Sequence, residues 1–262
     1  KNAMYNFKSS FLALALTGIA LAANPVAAAT VTVTFDNSIF NGSGSDAVHI
    51  KFPLQGGGTS PVHYVAAGRF QGSATNLVGV APEIFVDGVN DLFMYCYDVY
   101  ENINSGWVVN YTINFNTATA RTLDFLGAVN TIMSGTGSSY SPYAWLHPTT
   151  ASQGAAIQLG IWESLYDTSE NRDNIDGWNL GAGTFQAWDL DNDTLTAWKS
   201  FAGAIGTSDS LENRYTMVLT AAGAQDMITG DPPTNVPEPG SLALVGLALA
   251  GLAGSRQLRR RR

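Results

Sequence analysis

The chain has 262 residues, with 13 Lys and Arg against 21 Asp and Glu, a net charge of −8, and a single cysteine. Charge is unevenly placed: Thr30 to Val236 carries six basic residues against 20 acidic ones, a net charge of −14. Such a surface repels nucleic acid and anionic lipid, which disfavours both as partners. Abundant Gly, Ser, Thr and Asn with few charges fit a loop-rich extracellular β protein, and 207 residues suffice for one generous domain or two small ones.

Residues 1–29 read as a signal peptide with leading extra residues. Lys1-Asn2-Ala3 precede the expected start at Met4, Lys8 supplies the positive charge, and Phe11 to Ala23 is an apolar run. Ala27-Ala28-Ala29 gives the small-x-small pattern of a signal peptidase site, so cleavage before Thr30 is expected. As a membrane anchor the run is too short, and Pro25 follows it.

Residues 30–235 form the expected extracellular domain. TVTVTFD (30–36) alternates Val31, Val33 and Phe35 with threonines, the pattern of a half-buried strand. NGSGSD and QGGGTSP read as turn or loop material. HYVAAGRFQG is a strand with a glycine break. LFMYCYDVY (92–100) and GWVVNYTINF (106–115) are the clearest strands, and the turn-like ENINSG between them suggests a hairpin. The period then changes. ARTLDFLGAVNTIMS places Leu123, Leu126, Val129 and Met133 at helical spacing. TTASQGAAIQLGIWESLYDT repeats Ile157, Ile161 and Leu165 every four residues, with Thr150 or Ser152 as the cap. DTLTAWKSFAGAI reads as a third helix after an Asp cap, and RYTMVLTAA as a last strand. Strands, then helices, then a strand predict an α+β fold: an antiparallel β-sandwich or barrel with inserted helices.

Residues 236–262 are patterned again. VPEPGS precedes an apolar block, Ser241 to Gly254, and five arginines follow. As a helix the block spans about 21 Å, short of the roughly 30 Å hydrocarbon core. The arginines would hold it on the cytoplasmic side. Pro-Glu-Pro, an apolar helix and a basic cluster together resemble a PEP-CTERM sorting signal, known from Gram-negative bacteria that make extracellular polysaccharide. The resemblance implies a transient inner-membrane anchor, cleavage by an exosortase-type enzyme, and release to the cell surface or matrix.

The lone thiol needs a role, because exported proteins usually pair their cysteines. On alternation, Phe93, Tyr95, Tyr97 and Val99 form the core face of their strand, and Cys96 points the other way with Met94, Asp98 and Tyr100. Gln158 shares a helix face with Ile161, Trp162 and Leu165. An unpaired amide on such a stripe costs about 1–3 kcal/mol, so a buried partner is expected. A thiol and a carboxamide in contact can condense, losing ammonia and leaving a thioester, which must be buried to resist hydrolysis. YCYD on a strand and AIQLGIWE on a helix resemble the thioester domains of bacterial surface adhesins. That resemblance implies a Cys96–Gln158 cross-link lined by Asp98, Ile161 and Trp162, and covalent capture of an amine on a surface protein or polymer. It implies neither a turnover enzyme nor a cofactor. The sequence departs from the adhesins at Ile157, where they usually carry Thr.

Other readings stand beside this one. Cys96 could be a small buried hydrophobe, Gln158 could bond a strand carbonyl, and Trp162 could be plain core. A cysteine hydrolase would need Cys96 with His49, His63 or His147, yet the cysteine sits within a strand and no Cys–His motif is present. The alternative function is non-covalent binding of extracellular polysaccharide or matrix, with Trp107, Trp145, Trp162, Trp178, Trp188 and Trp198 as stacking platforms. Asp189, Asp191 and Asp193 have the spacing that begins a calcium loop, but Thr194 and Ser200 stand where glycine and glutamate belong. A solvated loop capping the next helix is the favoured reading there, and no metal site is expected.

Overall fold

The structure, a computed structural model, describes residues 28–167 and 177–232. The expected signal peptide up to Ala27 and the C-terminal signal lie outside the described residues. Among the described residues nine strands and three α-helices follow in chain order: β1 (Thr30–Phe35), β2 (Ser45–Lys51), β3 (His63–Gly68), β4 (Phe70–Val78), β5 (Leu92–Cys96), β6 (Val108–Phe115), α1 (Ala120–Ser134), α2 (Ala151–Tyr166), β7 (Gln186–Trp188), α3 (Asn192–Gly203), β8 (Thr216–Ala221) and β9 (Ala224–Gly230). Six strands close a barrel in the order β1-β4-β5-β9-β8-β6, antiparallel throughout, and β3-β2-β7 form a small second sheet. This is the expected α+β architecture, with the helices inserted between barrel strands.

Directly paired residues share a face of the sheet, so the register defines the barrel interior. Val33 opposes Ala74, Phe70 opposes Met94, Cys96 opposes Met227, Met227 opposes Leu219, Leu219 opposes Ile113, and Val31 opposes Tyr111. All of these are buried. The expected faces of β5 are therefore corrected: Leu92, Met94 and Cys96 point into the barrel. Tyr95, on the opposite face, is buried beneath the helical layer, where its hydroxyl donates to the Trp145 carbonyl at 3.1 Å. Closure of the barrel buries one face and the helices bury the other. Simple alternation cannot rank two apolar faces.

The expected β5–β6 hairpin is also corrected. β5 pairs with β4 and β9, whereas β6 pairs with β1 and β8. The chain between them crosses the barrel end, and the C-terminal hairpin β8–β9 fills the gap. β9 went unread because Gln225 and Asp226 interrupt its apolar pattern. β2 begins at Ser45 within the expected NGSGSD loop, since only one of its faces, Asp46, Val48 and Ile50, is buried.

α1 and α2 fall on the expected segments. The Thr119 hydroxyl caps α1, accepting from Thr122 N–H, and the Thr150 hydroxyl caps α2, accepting from Gln153 N–H at 3.1 Å. Asp191 stands at the N-cap of α3, but its side chain accepts no bond from the first turn. α2 is the central helix, packed against α1, α3 and the small sheet. Every residue from Gly154 to Ser164 is buried, so this stretch of α2 has no solvent face, and its few polar side chains, Gln158, Glu163 and Ser164, are buried with the rest.

Candidate functional site

Cys96 ends β5 at the point where β4 leaves it. The ladder with β4 stops at the Phe70–Met94 pair, so the next N–H and C=O on that edge, those of Cys96, have no strand neighbour. Gln158 of α2 fills the vacancy. The Cys96 N–H donates to Gln158 Oε1 at 2.9 Å, and Gln158 Nε2–H donates to the Cys96 carbonyl at 2.9 Å. Gln158 is fully buried and Cys96 is 1% exposed. Cys96 carries a free thiol, and burial pushes its pKa well above the ordinary value, with the charge of Asp98 adding to the shift.

The other expected site residues are spread unequally around this pair. Asp98 follows the strand, and its carbonyl accepts from Trp162 Nε1–H at 3.1 Å and from Gln225 Nε2–H at 2.8 Å. Strand offset two therefore meets helix offset four: Cys96 binds Gln158 as Asp98 binds Trp162. The Asp98 carboxylate accepts from the N–H groups of Tyr100 at 3.1 Å, Glu101 at 3.3 Å and Asp226 at 2.5 Å. Burial nevertheless pushes this carboxyl up to about 6. Ile161 is fully buried in the surrounding core without a polar part in the site. Gln153 caps instead: its Oε1 accepts from Thr149 N–H at 2.8 Å at the helix start.

Sequence reasoning missed Gln225, whose strand it did not read, and Glu163, the last letter of AIQLGIWE. Glu163 Oε1 accepts from Asn179 N–H at 3.0 Å, and burial pushes this carboxyl up to about 8. A hollow of about 370 Å³ leads from the surface to Cys96 and Trp162, with His63, Glu101 and Gln225 among its polar lining.

Of the histidines considered for a cysteine hydrolase, two pair with carboxylates away from Cys96, and His63 lines the hollow that reaches it. His49 Nδ1 lies 3.0 Å from Asp189 and His147 Nε2 lies 3.5 Å from Asp87, while His63 packs its ring 5.0 Å from that of Phe52. Asp191 N–H donates to Asp46, and Asp193 lies in the first turn of α3. Among the described residues no group of three or more His, Cys, Asp or Glu side chains could hold a metal ion. Four tryptophans (145, 162, 178 and 198) are buried, leaving Trp107 exposed and Trp188 half-buried.

Residues 235–261 match the PEP-CTERM protein-sorting motif. The chain thus carries a C-terminal, membrane-associated sorting signal of exported proteins, the element that an exosortase-type processing enzyme recognises. Among the described residues no helix is long and apolar enough to cross a membrane. No curated protein and no solved structure matches the chain.

Proposed function

We propose that the domain is a covalent capture module of the cell surface, in which Cys96 and Gln158 form an internal thioester. One observation carries this reading: the Gln158 carboxamide is held, dry, against the backbone of the only cysteine by two 2.9 Å hydrogen bonds. The thiol sulfur adds to the Gln158 Cδ carbon, the C–N bond breaks, and the thiol proton leaves with the amide nitrogen as ammonia. The Cys96 N–H already points at Oε1, where negative charge develops in the tetrahedral intermediate, and so serves as an oxyanion donor. Departure of Nε2 removes the donor of the Cys96 carbonyl, a loss of about 1–3 kcal/mol for a buried group, which keeps the acyl group reactive. An amine then attacks Cδ, the C–S bond breaks, and the protein keeps an amide to its target and a free thiol. Each molecule reacts once, so the product is adhesion to an amine-bearing surface protein or polymer rather than turnover.

The test is labelling of fresh protein with methylamine. One adduct is expected at residue 158, and none in Gln158→Ala or Cys96→Ala; the latter leaves the backbone pair in place. Absence of an adduct from the unmutated protein would overturn the reading.

A second reading, non-covalent binding of extracellular polysaccharide, draws on the outer face of the small sheet. There Tyr64, His49 and Trp188 stand side by side across three strands, with centroids 5.0 and 5.8 Å apart, and Tyr64 is 69% exposed. Binding of an unlabelled, full-mass protein to polysaccharide, lost in Tyr64→Ala, would favour it.

A further inference from the structure

We infer that the free edge of β3 takes up an extended, positively charged segment of a partner protein as an added strand. β3 is the outer strand of the small sheet and pairs with β2 alone. On β7, Ala187 N–H donates to the Leu180 carbonyl, away from β2, so His49 and Lys51 are the β2 residues whose backbone faces β7. Val48 and Ile50 face β3 and pair with Val65 and His63. Tyr64 and Ala66 therefore turn their N–H and C=O groups outward, and among the described residues these groups have no hydrogen-bond partner. Exposed edges are usually blocked by Lys, Pro or a bulge. β3, HYVAAG, has none of these, and its register with β2 is unbroken.

The hollow of about 370 Å³ runs along this edge. His63 and Val65 lie on the buried face of the small sheet, opposite Ile50 and Val48, whereas Tyr64 and Ala66 lie on the outer face. All four line the hollow, and a hollow that meets both faces of one strand lies beside it. Its far wall includes the chain at Asn102 and Ile103, whose backbone groups also lack partners among the described residues. Donors and acceptors at this repeat are matched by another extended main chain. Charge narrows the occupant. Glu101 is the only carboxylate in the lining, which contains no Lys or Arg, and Thr30 to Val236 carries a net charge of −14. A second copy, equally acidic, is repelled, and a basic segment is drawn in. Main-chain pairing needs no covalent step, so this docking is independent of whether Cys96 and Gln158 are joined.

The probe is the peptide acetyl-Arg-Val-Arg-Thr-Arg-Val-Arg-amide, which has no primary amine and so cannot be captured covalently. Calorimetric titration into the purified protein should show one peptide bound per chain. Two further versions are N-methylated at alternate residues, one on each set. At least one of them should bind on the order of tenfold more weakly, the scale of one or two lost hydrogen bonds. Ala66→Pro removes an outward N–H and leaves the ladder to β2 in place, as proline on an edge strand can. It should weaken the parent peptide about tenfold without lowering the melting temperature. The acidic peptide with Glu in place of Arg should bind about tenfold more weakly than the parent at low salt. No binding of the parent peptide would overturn the inference, and so would equal binding of both methylated versions, which leave the protein unchanged and therefore decide the matter even if Ala66→Pro fails to fold. Equal binding of the acidic peptide would overturn the choice of a basic partner. A dimer of the protein alone in sedimentation, made monomeric by Ala66→Pro, would give the edge to a second copy and overturn the partner.

Discussion

Gln158 does for β5 what a neighbouring strand would do. Its side chain offers an acceptor and a donor at the spacing of a ladder position, where β4 has not yet begun and the chain ahead of it belongs to β3 of the second sheet. Replacement by alanine leaves one N–H and one C=O of Cys96 buried and unpaired, so Gln158→Ala should cost about 3 kcal/mol of stability. Cys96→Ala should cost less, since without the thiol Gln158 keeps its amide and holds both backbone bonds; urea unfolding of the two variants gives the comparison. Glu163 provides a second test at this scale. Its carboxyl is raised from an ordinary 4.5 to about 8 by burial, with Asp167 close by and only partly opposed by the N–H of Asn179. The folded state therefore holds a proton that the unfolded chain releases above about 4.5. Stability from this group is complete below that pH and is lost as pH rises through about 8, by at most about 1.4 kcal/mol per pH unit. Melting from pH 5 to pH 8 should show the decline, and Glu163→Gln should flatten it. The partnership of Cys96 and Gln158 was legible in sequence as two buried groups each lacking a partner. Its form was legible in part, since a bond from Gln158 to a strand carbonyl was among the readings. That the carbonyl and the N–H both belong to Cys96 depends on where β4 begins.

α2 is held from several sides, and its small residues set how closely its neighbours approach. At Gly160 a Cβ would overlap the ring of Phe125 on α1. Phe125 is fully buried and stacks on Trp178, with ring centroids 5.4 Å apart, so it has little room to yield. Gly160→Ala should therefore cost about 1–3 kcal/mol despite its better helix propensity; an unchanged melting temperature would show that the α1–α2 contact is softer than its geometry. The helices were legible because their periodicity and threonine caps are local. Strand order was not: the partners of β5 lie at Phe70–Gly72 and Met227–Ile228, and nothing local distinguishes them from the neighbour one loop away. β7, three residues long, is a strand only because β2 offers it an edge.

Across the whole molecule, the net charge of −14 on Thr30 to Val236 and the carboxylates around Glu101 favour the arrival of cations. Salt shortens the reach of this field from about 30 Å at 0.01 M to about 3 Å at 1 M. Capture of methylamine, a cation at neutral pH, should accordingly slow severalfold across that range; a rate indifferent to salt would show that the field plays no part in capture. The C-terminal PEP-CTERM motif marks the chain for export and exosortase-type processing. Its recognition needed only contiguous letters, whereas the site needed the fold. The central claim, that Cys96 and Gln158 are joined, is tested most directly by the intact mass of freshly purified protein, unfolded in the presence of a thiol-alkylating reagent and in the absence of any amine. The account predicts a mass one ammonia below that of the sequence and no alkylation at Cys96. A full mass with Cys96 quantitatively alkylated would contradict it.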